Sequence, residues 1–369
     1  MTADAGRRTV EVLQVTSPGT VSWVPVDDGP LGDGRVRLDT VTSGVSAGTE
    51  LSFLKGTNPA LNRTWDAELG LFAPGEQPAS YPVRKLGYMQ VGRVVASADP
   101  DVAVGRLVAA TYGHATGHDL DPLTERLVVL PEWLDPVLGI YVAHMGPICA
   151  NGLLHAAADL YGGCVSDLGD GVRGRRVLVT GAGVVGLVTA LFAQHLGAGE
   201  VVVSDPTPAR LAAAAGLGLG TVDAAAVDVG SWAKRRWRHG AGDRGADVVF
   251  QCRGQVAALQ ESLRALRPQG SVVDLAFYPG GAEALRLGEE FHHNGLRIVS
   301  AQIGRVPRGL QHLWDRERLS AATVDLLAAR GDDVRAHLVS DLVPLRDAPA
   351  LFADLAARRR QVLQAVLTA

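Results

Sequence analysis

The chain has 369 residues, of which 47% are hydrophobic and 20% are charged, and its formal net charge is −4. This length exceeds what one hydrophobic core usually supports and predicts two domains, while the composition excludes an intrinsically disordered protein. Because the slightly negative charge creates no positive field for phosphates, we expect neither a nucleic-acid partner nor a membrane-surface partner.

The cysteines and the N-terminus indicate the compartment. Cys149, Cys164 and Cys252 form no CxxC pair, which argues against a disulfide framework and a cysteine-rich structural zinc site. The segment MTADAGRRTVEVLQV has no apolar core of signal-peptide length, and no run of about 18 apolar residues occurs elsewhere. We therefore expect a cytoplasmic protein, and we interpret Cys149 as a packed thiol rather than a nucleophile.

Residues 8–135 contain short alternating segments separated by Gly, Pro and Asp: TVEVLQV, RVRLDTV, GRVVAS, GRLVAAT and ERLVVL. This spacing predicts an antiparallel, barrel-like domain. The stretch from residue 56 to 82 is a long Gly- and Pro-containing loop, which is either a functional lid or a surface insertion without a role.

From about residue 150, continuous apolar strands alternate with Ala- and Leu-rich helical stretches, as in RVLVTGAG followed by LVTALFAQHLG. Strands buried on both faces have this composition, so we predict a parallel α/β domain over residues 150–304. The last helix, DAPALFADLAARR, and the terminal QVLQAVL are expected to return to the first domain. The first domain would then comprise residues 1–149 and 305–369.

A glycine fingerprint lies between a predicted strand and a predicted helix. Gly181, Gly183 and Gly186 form G-x-G-x-x-G, with Val184 and Val185 at the start of the helix. The first glycine permits a tight turn, the second lets the backbone approach a pyrophosphate, and the third allows close helix–strand packing. The unpaired N–H groups of the helix start then face the phosphates. This context predicts a dinucleotide site.

Asp205 closes the following strand, where an acid accepts hydrogen bonds from the adenosine ribose hydroxyls. A carboxylate there would repel a 2′-phosphate, so the sequence favours NAD(H), with NADP(H) as the alternative. Arg210 lies a few residues on and is either a phosphate partner or a solvated helix residue.

The domain order resembles the medium-chain dehydrogenase/reductase superfamily over nearly the whole chain. Besides the glycine fingerprint, the matching segments are SGVSAGTEL, GYMQVGRVV, FQCRGQVAALQESLRALRPQGSVVDL and VPLRDAPALFADL. Three longer segments are most similar to the branch that contains bacteriochlorophyllide dehydrogenase: GVSAGTELSFLKG, YPVRKLGYMQVG and FHHNGLRIVSAQIG. The resemblance implies a GroES-like antiparallel barrel that carries the catalytic groups, joined to a Rossmann domain.

The resemblance also bears on zinc. Metal-dependent members carry a Cys in the first motif, where this chain has Ser46, and a His in the second, where it has Tyr88. An acid usually precedes a Pro and a helix in the third, where this chain has Gly146, and the four-cysteine loop of the structural zinc is missing. Catalytic zinc normally needs three protein ligands, so we predict a zinc-less member with no metal site.

Without a metal, a hydrogen-bond donor must polarise the substrate oxygen. Tyr88 stands at the position of the metal-binding His, and its phenol can donate to a developing alkoxide. Thr49 occupies the hydroxyl-relay position, while Glu50 is expected mainly to support the site. His144 is either a proton donor or a structural histidine between the domains. In YGHATGH (112–118) the histidines are expected at a polar cleft edge, with a metal site as the alternative.

These features predict a zinc-independent NAD(P)(H)-dependent oxidoreductase acting on a small-molecule carbonyl or alcohol. The alternatives are reduction of an activated C=C or C=N bond, and a non-catalytic nucleotide-binding scaffold or sensor. The last strand of the parallel sheet, in LRIVSAQIG, would leave an apolar edge open to water, so we expect a homodimer paired through it.

Overall fold

The computed structural model describes residues 6–73, 80–278 and 280–369. The strands are β1 (Arg8–Ser17), β2 (Thr20–Asp28), β3 (Val36–Gly44), β4 (Trp65–Asp66), β5 (Leu71–Phe72), β6 (Gln90–Ser97), β7 (Leu107–Ala110), β8 (Gly117–Leu120), β9 (Leu127–Val129), β10 (Arg176–Thr180), β11 (Glu200–Asp205), β12 (Gly220–Asp223), β13 (Arg238–Gly240), β14 (Asp243–Arg244), β15 (Ala246–Gln251), β16 (Leu266–Asp274), β17 (Arg297–Ser300), β18 (Val339–Pro344) and β19 (Gln364–Thr368). The helices are α1 (Ala47–Leu54), α2 (Pro136–Gly139), α3 (Gly146–Tyr161), α4 (Val184–His195), α5 (Pro208–Gly216), α6 (Val229–Arg236), α7 (Val256–Ala265), α8 (Arg316–His337) and α9 (Ala348–Ala356).

The chain divides into two compact units. The first comprises Met1–His144 and Val339–Ala369, and the second comprises Met145–Leu338. The second unit is longer than the 150–304 range expected from the sequence, because α8 packs within it. Arg330 of α8 donates hydrogen bonds to the Gln194 side chain at 2.6 Å and to the Leu217 carbonyl at 2.7 Å. These contacts fasten α8 to the ends of α4 and α5.

The second unit is built on a parallel sheet with the strand order β12-β11-β10-β15-β16-β17. Neighbouring strands run parallel throughout this sheet. Numbered within the unit, the order is 3-2-1-4-5-6, which is that of a doubly wound dinucleotide-binding domain. The predicted Rossmann domain is therefore confirmed. Its apolar strands are covered by helices whose buried side chains include Leu259 and Leu263 of α7.

The first unit contains a mostly antiparallel sheet in the order β18-β19-β3-β6-β7-β9, with β8 also paired to β3. The hairpin β1–β2 packs beside it. Leu13 and Val15 of β1 share a core with Leu351 and Phe352 of α9 and with Leu367 of β19. This shared core explains why the C-terminal helix and strand return to the first unit, as the sequence predicts. The antiparallel catalytic-type domain is likewise confirmed.

The long loop after α1 contains a small hairpin formed by β4 and β5. Its side chains Trp65 and Phe72 make an edge-to-face contact with ring centroids 5.1 Å apart. Both rings are exposed, at 53% and 47%. Residues 74–79 of the predicted loop lie outside the described residues, and the choice between a lid and an insertion stays open.

One helical stretch of the chain is long and apolar. Among the described residues, Pro136–Tyr161 is long and apolar enough to cross a membrane by length and composition, and 83% of its most apolar window is buried inside the protein. Burial of this extent is typical of a core helix, so this stretch is weak evidence for a membrane span.

Candidate active site

A glycine turn joins β10 to α4 in the second unit. Gly181 has a φ of +106°, a conformation that favours glycine. A Cβ at Gly186 would lie only 1.8 Å from the Gly181 carbonyl oxygen, whereas a Cβ at Gly183 would meet no heavy atom within 4 Å. Two of the glycines are therefore required by the turn itself, and the third leaves its backbone open to a ligand.

Val184 and Val185 form the first turn of α4 and are partly exposed. The first backbone N–H groups of a helix have no intrahelical acceptor, and together with the helix dipole they attract phosphate. The loop and helix start thus fit the pyrophosphate of a dinucleotide. A bound nicotinamide would supply the hydride chemistry, and these residues would hold and orient it.

Asp205 ends β11 next to this loop and is only 2% exposed. Its Oδ2 accepts a hydrogen bond from the Ala182 backbone N–H at 2.9 Å, and its Oδ1 accepts one from the Thr207 N–H at 2.8 Å. Arg210 Nη1 lies 3.9 Å from Oδ2, and its side chain is 46% exposed. The fold therefore brings the predicted cofactor residues together, and Asp205 additionally fixes the shape of the glycine loop.

Polar side chains at the carboxyl ends of three adjacent strands were missed by sequence reasoning. Thr180 of β10 donates a hydrogen bond to Gln251 Oε1 of β15 at 2.7 Å. Gln251 Nε2 donates to the Tyr278 hydroxyl at 3.0 Å, and that hydroxyl donates to Asp274 of β16 at 2.9 Å. Burial raises the pKa of Asp274 despite these bonds. Ligands of open parallel sheets bind at the carboxyl ends of the strands. In the sequence, the signal for this group was a polar residue at the end of each apolar strand.

Tyr88 lies in the first unit, just before β6, and is partly exposed. Its hydroxyl shares a 2.5 Å hydrogen bond with Ser46 Oγ, at the start of α1. Its ring meets the His144 ring edge-to-face, with centroids 4.7 Å apart. Thr49 is in the first turn of the same helix as the Ser46 cap and is also partly exposed. The fold thus gathers the predicted Tyr88 and His144 around a hydroxyl pair.

Glu50 belongs to a buried network behind this pair. Its Oε1 accepts a hydrogen bond from the Ser46 N–H at 2.9 Å, and its Oε2 lies 3.0 Å from His114 Nε2. His114 Nδ1 is hydrogen-bonded to Ser43 Oγ at 2.5 Å. Glu50 and His114 are 1% and 0% exposed, so the expected position of His114 at a polar cleft edge is wrong. The loop 112–118 folds inward because Glu50 and Ser43 satisfy both ring nitrogens.

His118, the other histidine of that loop, lies elsewhere in the unit. Its Nε2 is 2.9 Å from Glu125 Oε1, and its ring stacks on Tyr112 with centroids 4.8 Å apart. Among the residues that the structure describes, no group of three or more His, Cys, Asp or Glu side chains could hold a metal. The structure therefore gives no support to the alternative that the histidines of residues 112–118 bind a metal.

The positions that carry zinc ligands in the resembling superfamily do not fit the ion. The hydroxyls of Ser46 and Tyr88 bond to each other, and neither is a usual zinc ligand. In the second unit, a Cβ at Gly146 would lie 2.1 Å from Thr323 Cγ2, so a ligating side chain there would clash with α8.

The free cysteines show no sign of reactivity. Cys149 is buried, and its thiol contacts the Val185 carbonyl at 3.4 Å. Burial raises the pKa of the Cys149 thiol to about 12, and burial also raises the pKa of Cys252. Since the thiolate is the reactive form, the interpretation of Cys149 as a packed thiol agrees with its surroundings.

Comparison with known proteins finds dehydrogenases that are similar to this chain. Residues 184–317 match the family described as zinc-binding dehydrogenase. D-guloside 3-dehydrogenase of Escherichia coli (strain K12) is 27% identical over 324 residues, covering 85% of this chain and 87% of the relative. The chain is an enzyme, similar over residues 184–317 to zinc-binding dehydrogenases. The matched family segment contains none of positions 46, 88 and 146, so this similarity does not bear on zinc ligation.

Solved structures of other dehydrogenases share the fold of this chain. A protein of Sinorhizobium meliloti 1021, described as a zinc-binding dehydrogenase and bound to NADP, has a TM-score of 0.72 and 20% identity, covering 98% of this chain and 100% of that chain. L-idonate 5-dehydrogenase of Escherichia coli K-12 has a TM-score of 0.73 and 16% identity, covering 98% and 99%. These structures confirm the predicted fold, while the branch containing bacteriochlorophyllide dehydrogenase stays a prediction.

Proposed function

We propose that this dehydrogenase transfers a hydride between a nicotinamide dinucleotide and a secondary alcohol or ketone of a sugar-like small molecule, without zinc. The observation that carries the proposal is the hydrogen-bonded Ser46–Tyr88 hydroxyl pair at two positions where zinc-dependent relatives have metal ligands. The sugar-like substrate class is supported by the relative named D-guloside 3-dehydrogenase. NAD(H) is favoured over NADP(H) because of Asp205.

In this proposal, Tyr88 interacts with the reacting oxygen of the substrate. When a ketone is reduced, its oxygen gains negative charge, and the Tyr88 hydroxyl donates a hydrogen bond and then a proton to it. Ser46 hydrogen-bonds the tyrosine oxygen throughout and stabilises the charge left on it. Thr49 and His144 are the groups through which a proton from solvent restores the phenol.

The experiment measures NAD(H)-coupled turnover with a panel of glycosides, sugar alcohols and their keto forms, on untagged enzyme with its metal content determined. We expect turnover that is unchanged by a chelator, with less than a tenth of an equivalent of zinc per chain. About one tightly held zinc, together with activity lost to the chelator, would contradict the proposal.

The same assay separates the alternatives. Turnover only with enones or imines would assign reduction of an activated C=C or C=N bond, for which less polarisation of an oxygen is needed. Dinucleotide binding without turnover on any member of the panel would assign a nucleotide-binding scaffold or sensor. A cytoplasmic homodimer is the assembly that we propose for the enzyme.

A further inference from the structure

The hairpin β1–β2 has two different faces. Leu13 and Val15 point into the core of the first unit and are fully buried, as expected for alternate residues of a strand. Val12 and Gln14 lie on the opposite face, where Val12 is paired in register with Val24. The side chains of this face that line the cavity are apolar except for Gln14: they are Val12, Val24 and Val26.

This second face lines a cavity of about 600 Å³. Its other wall is formed by the segment 82–85 and by residues 112–118, which β1 holds through the backbone. Leu13 donates its N–H to the His114 carbonyl at 2.9 Å, and Val15 donates to the Val83 carbonyl at 3.2 Å. The volume lies within the range of small-molecule sites. None of the cavity residues belongs to the Ser46–Tyr88 pair or its supporting network.

Gln14 is the polar group built into the apolar wall. It is only 7% exposed, and among the described residues its side-chain amide has no hydrogen-bond partner. Its amide atoms are not fully buried, so they face the cavity, where a bound molecule can reach them. Its place in the cavity lining therefore indicates a ligand that hydrogen-bonds to it.

The charge around the cavity is unbalanced. Its one carboxylate, Glu125, is already engaged by His118 at 2.9 Å and by the Asp121 N–H at 3.2 Å. Arg84 and Lys85 are exposed at the cavity; within the described chain neither makes a close ion pair, and Lys85 interacts with Glu125 only through its longer-range charge. The positive charge of Arg84 and Lys85 exceeds that of the single carboxylate, and beside an apolar wall this excess is complementary to a ligand with an anionic head and an apolar body.

We propose that this cavity is a second small-molecule site, separate from the reacting centre, that binds an apolar monocarboxylate. The apolar body of the ligand contacts Val12, Val24 and Pro82. Its carboxylate pairs with Arg84 and Lys85, and the Gln14 amide donates a hydrogen bond to it. The inference does not depend on which substrate the dehydrogenase turns over.

The test is calorimetric titration of the full-length enzyme with octanoate, and with octanamide as the uncharged probe. We expect octanoate to bind and octanamide to bind at least tenfold more weakly. Gln14→Leu and the double variant Arg84→Met/Lys85→Met should each weaken octanoate binding by about tenfold or more, since hydrogen bonds and ion pairs to a carboxylate are lost. Arg63→Met, at an exposed arginine outside the cavity, is the matched control and should bind normally.

Two further measurements distinguish a ligand-binding role of Gln14 from a structural one, and binding in the cavity from binding at the reacting centre. The thermal unfolding midpoint of Gln14→Leu should stay close to that of the parent, because the Gln14 amide makes no hydrogen bond within the described chain; a clearly lowered midpoint would make Gln14 a structural residue and overturn the proposal. Tyr88→Phe should leave octanoate affinity unchanged. Loss of octanoate binding in Tyr88→Phe, or equal affinity for octanamide, would assign the binding to the reacting centre or to the apolar wall alone.

Discussion

Tyr88 is the residue on which the proposed chemistry depends. Its hydroxyl is 2.5 Å from Ser46 Oγ, so the phenol is oriented before any substrate binds. Replacing Tyr88 with Phe keeps the ring against His144 and removes only the hydroxyl. If the phenol donates to the reacting oxygen, turnover should fall by about 10²-fold or more, with NADH affinity unchanged. Steady-state kinetics and fluorescence titration measure the two quantities.

The control for this prediction is Tyr88→Ala. If Tyr88→Phe turns over normally while Tyr88→Ala loses substrate binding, the tyrosine is only a wall of the pocket. The proton would then have to pass through His144 or the substrate itself.

Glu50 and His114 are expected to act as positioning residues. Glu50→Ala removes the acceptor of the Ser46 N–H and the partner of His114 in a site closed to water. Because buried polar groups are left unpaired, the free energy of unfolding should fall by about 1–3 kcal/mol. Glu50→Gln keeps an acceptor for Ser46 and should lose less. Urea unfolding of the two variants makes the comparison, and equal losses would contradict it.

At the scale of elements, the contact between α3 and α8 decides which unit α8 joins. Gly146 begins α3, and a Cβ there would lie within 2.8 Å of three Thr323 side-chain atoms. Gly146→Ala should therefore destabilise the protein by about 1–3 kcal/mol through overpacking, although alanine is otherwise the better helix former. In a Thr323→Gly background the same substitution should cost much less. A double-mutant cycle by denaturant unfolding measures this coupling, and additive costs would exclude the clash.

The glycine loop and β11 together set the proposed cofactor preference. Because the Asp205 oxygens hold the Ala182 and Thr207 N–H groups, Asp205→Ala would also disturb the loop. Asp205→Asn removes the charge and keeps an acceptor. We expect NADH to bind the parent more tightly than NADPH, and the ratio of dissociation constants to shrink by about tenfold in Asp205→Asn. Tighter NADPH binding by the parent would show that Arg210 dominates.

At the scale of the whole molecule, β17 ends the described parallel sheet at one edge. Its residues Ile298 and Val299 are partly buried, and an unpaired strand edge of this kind invites pairing with another copy. Sedimentation at micromolar concentration should show a homodimer, and Val299→Lys should shift it towards monomer. A parent that sediments only as monomer would contradict the prediction, and a tetramer would leave it incomplete.

The sequence by itself determined the two kinds of domain, the glycine turn and the acid that follows it. These features are local: a positive φ at Gly181, an apolar strand and a helix start follow from neighbouring residues, and their order along the chain specifies a doubly wound sheet. The sequence also showed Ser46 and Tyr88 at two motif positions where metal-dependent members of the superfamily that it resembles carry a Cys and a His.

Only the tertiary structure decided which side chains meet. Ser46 and Tyr88 are 42 residues apart in sequence, and Glu50 and His114 are 64 apart. Neither pairing follows from local pattern, because each depends on how β3, α1 and the loop 112–118 pack. The same reason applies to α8, whose membership of the second unit rests on Gly146 and Arg330. It applies to Gln14 too, since only the packing of both faces of its hairpin shows that a strand glutamine lines a cavity.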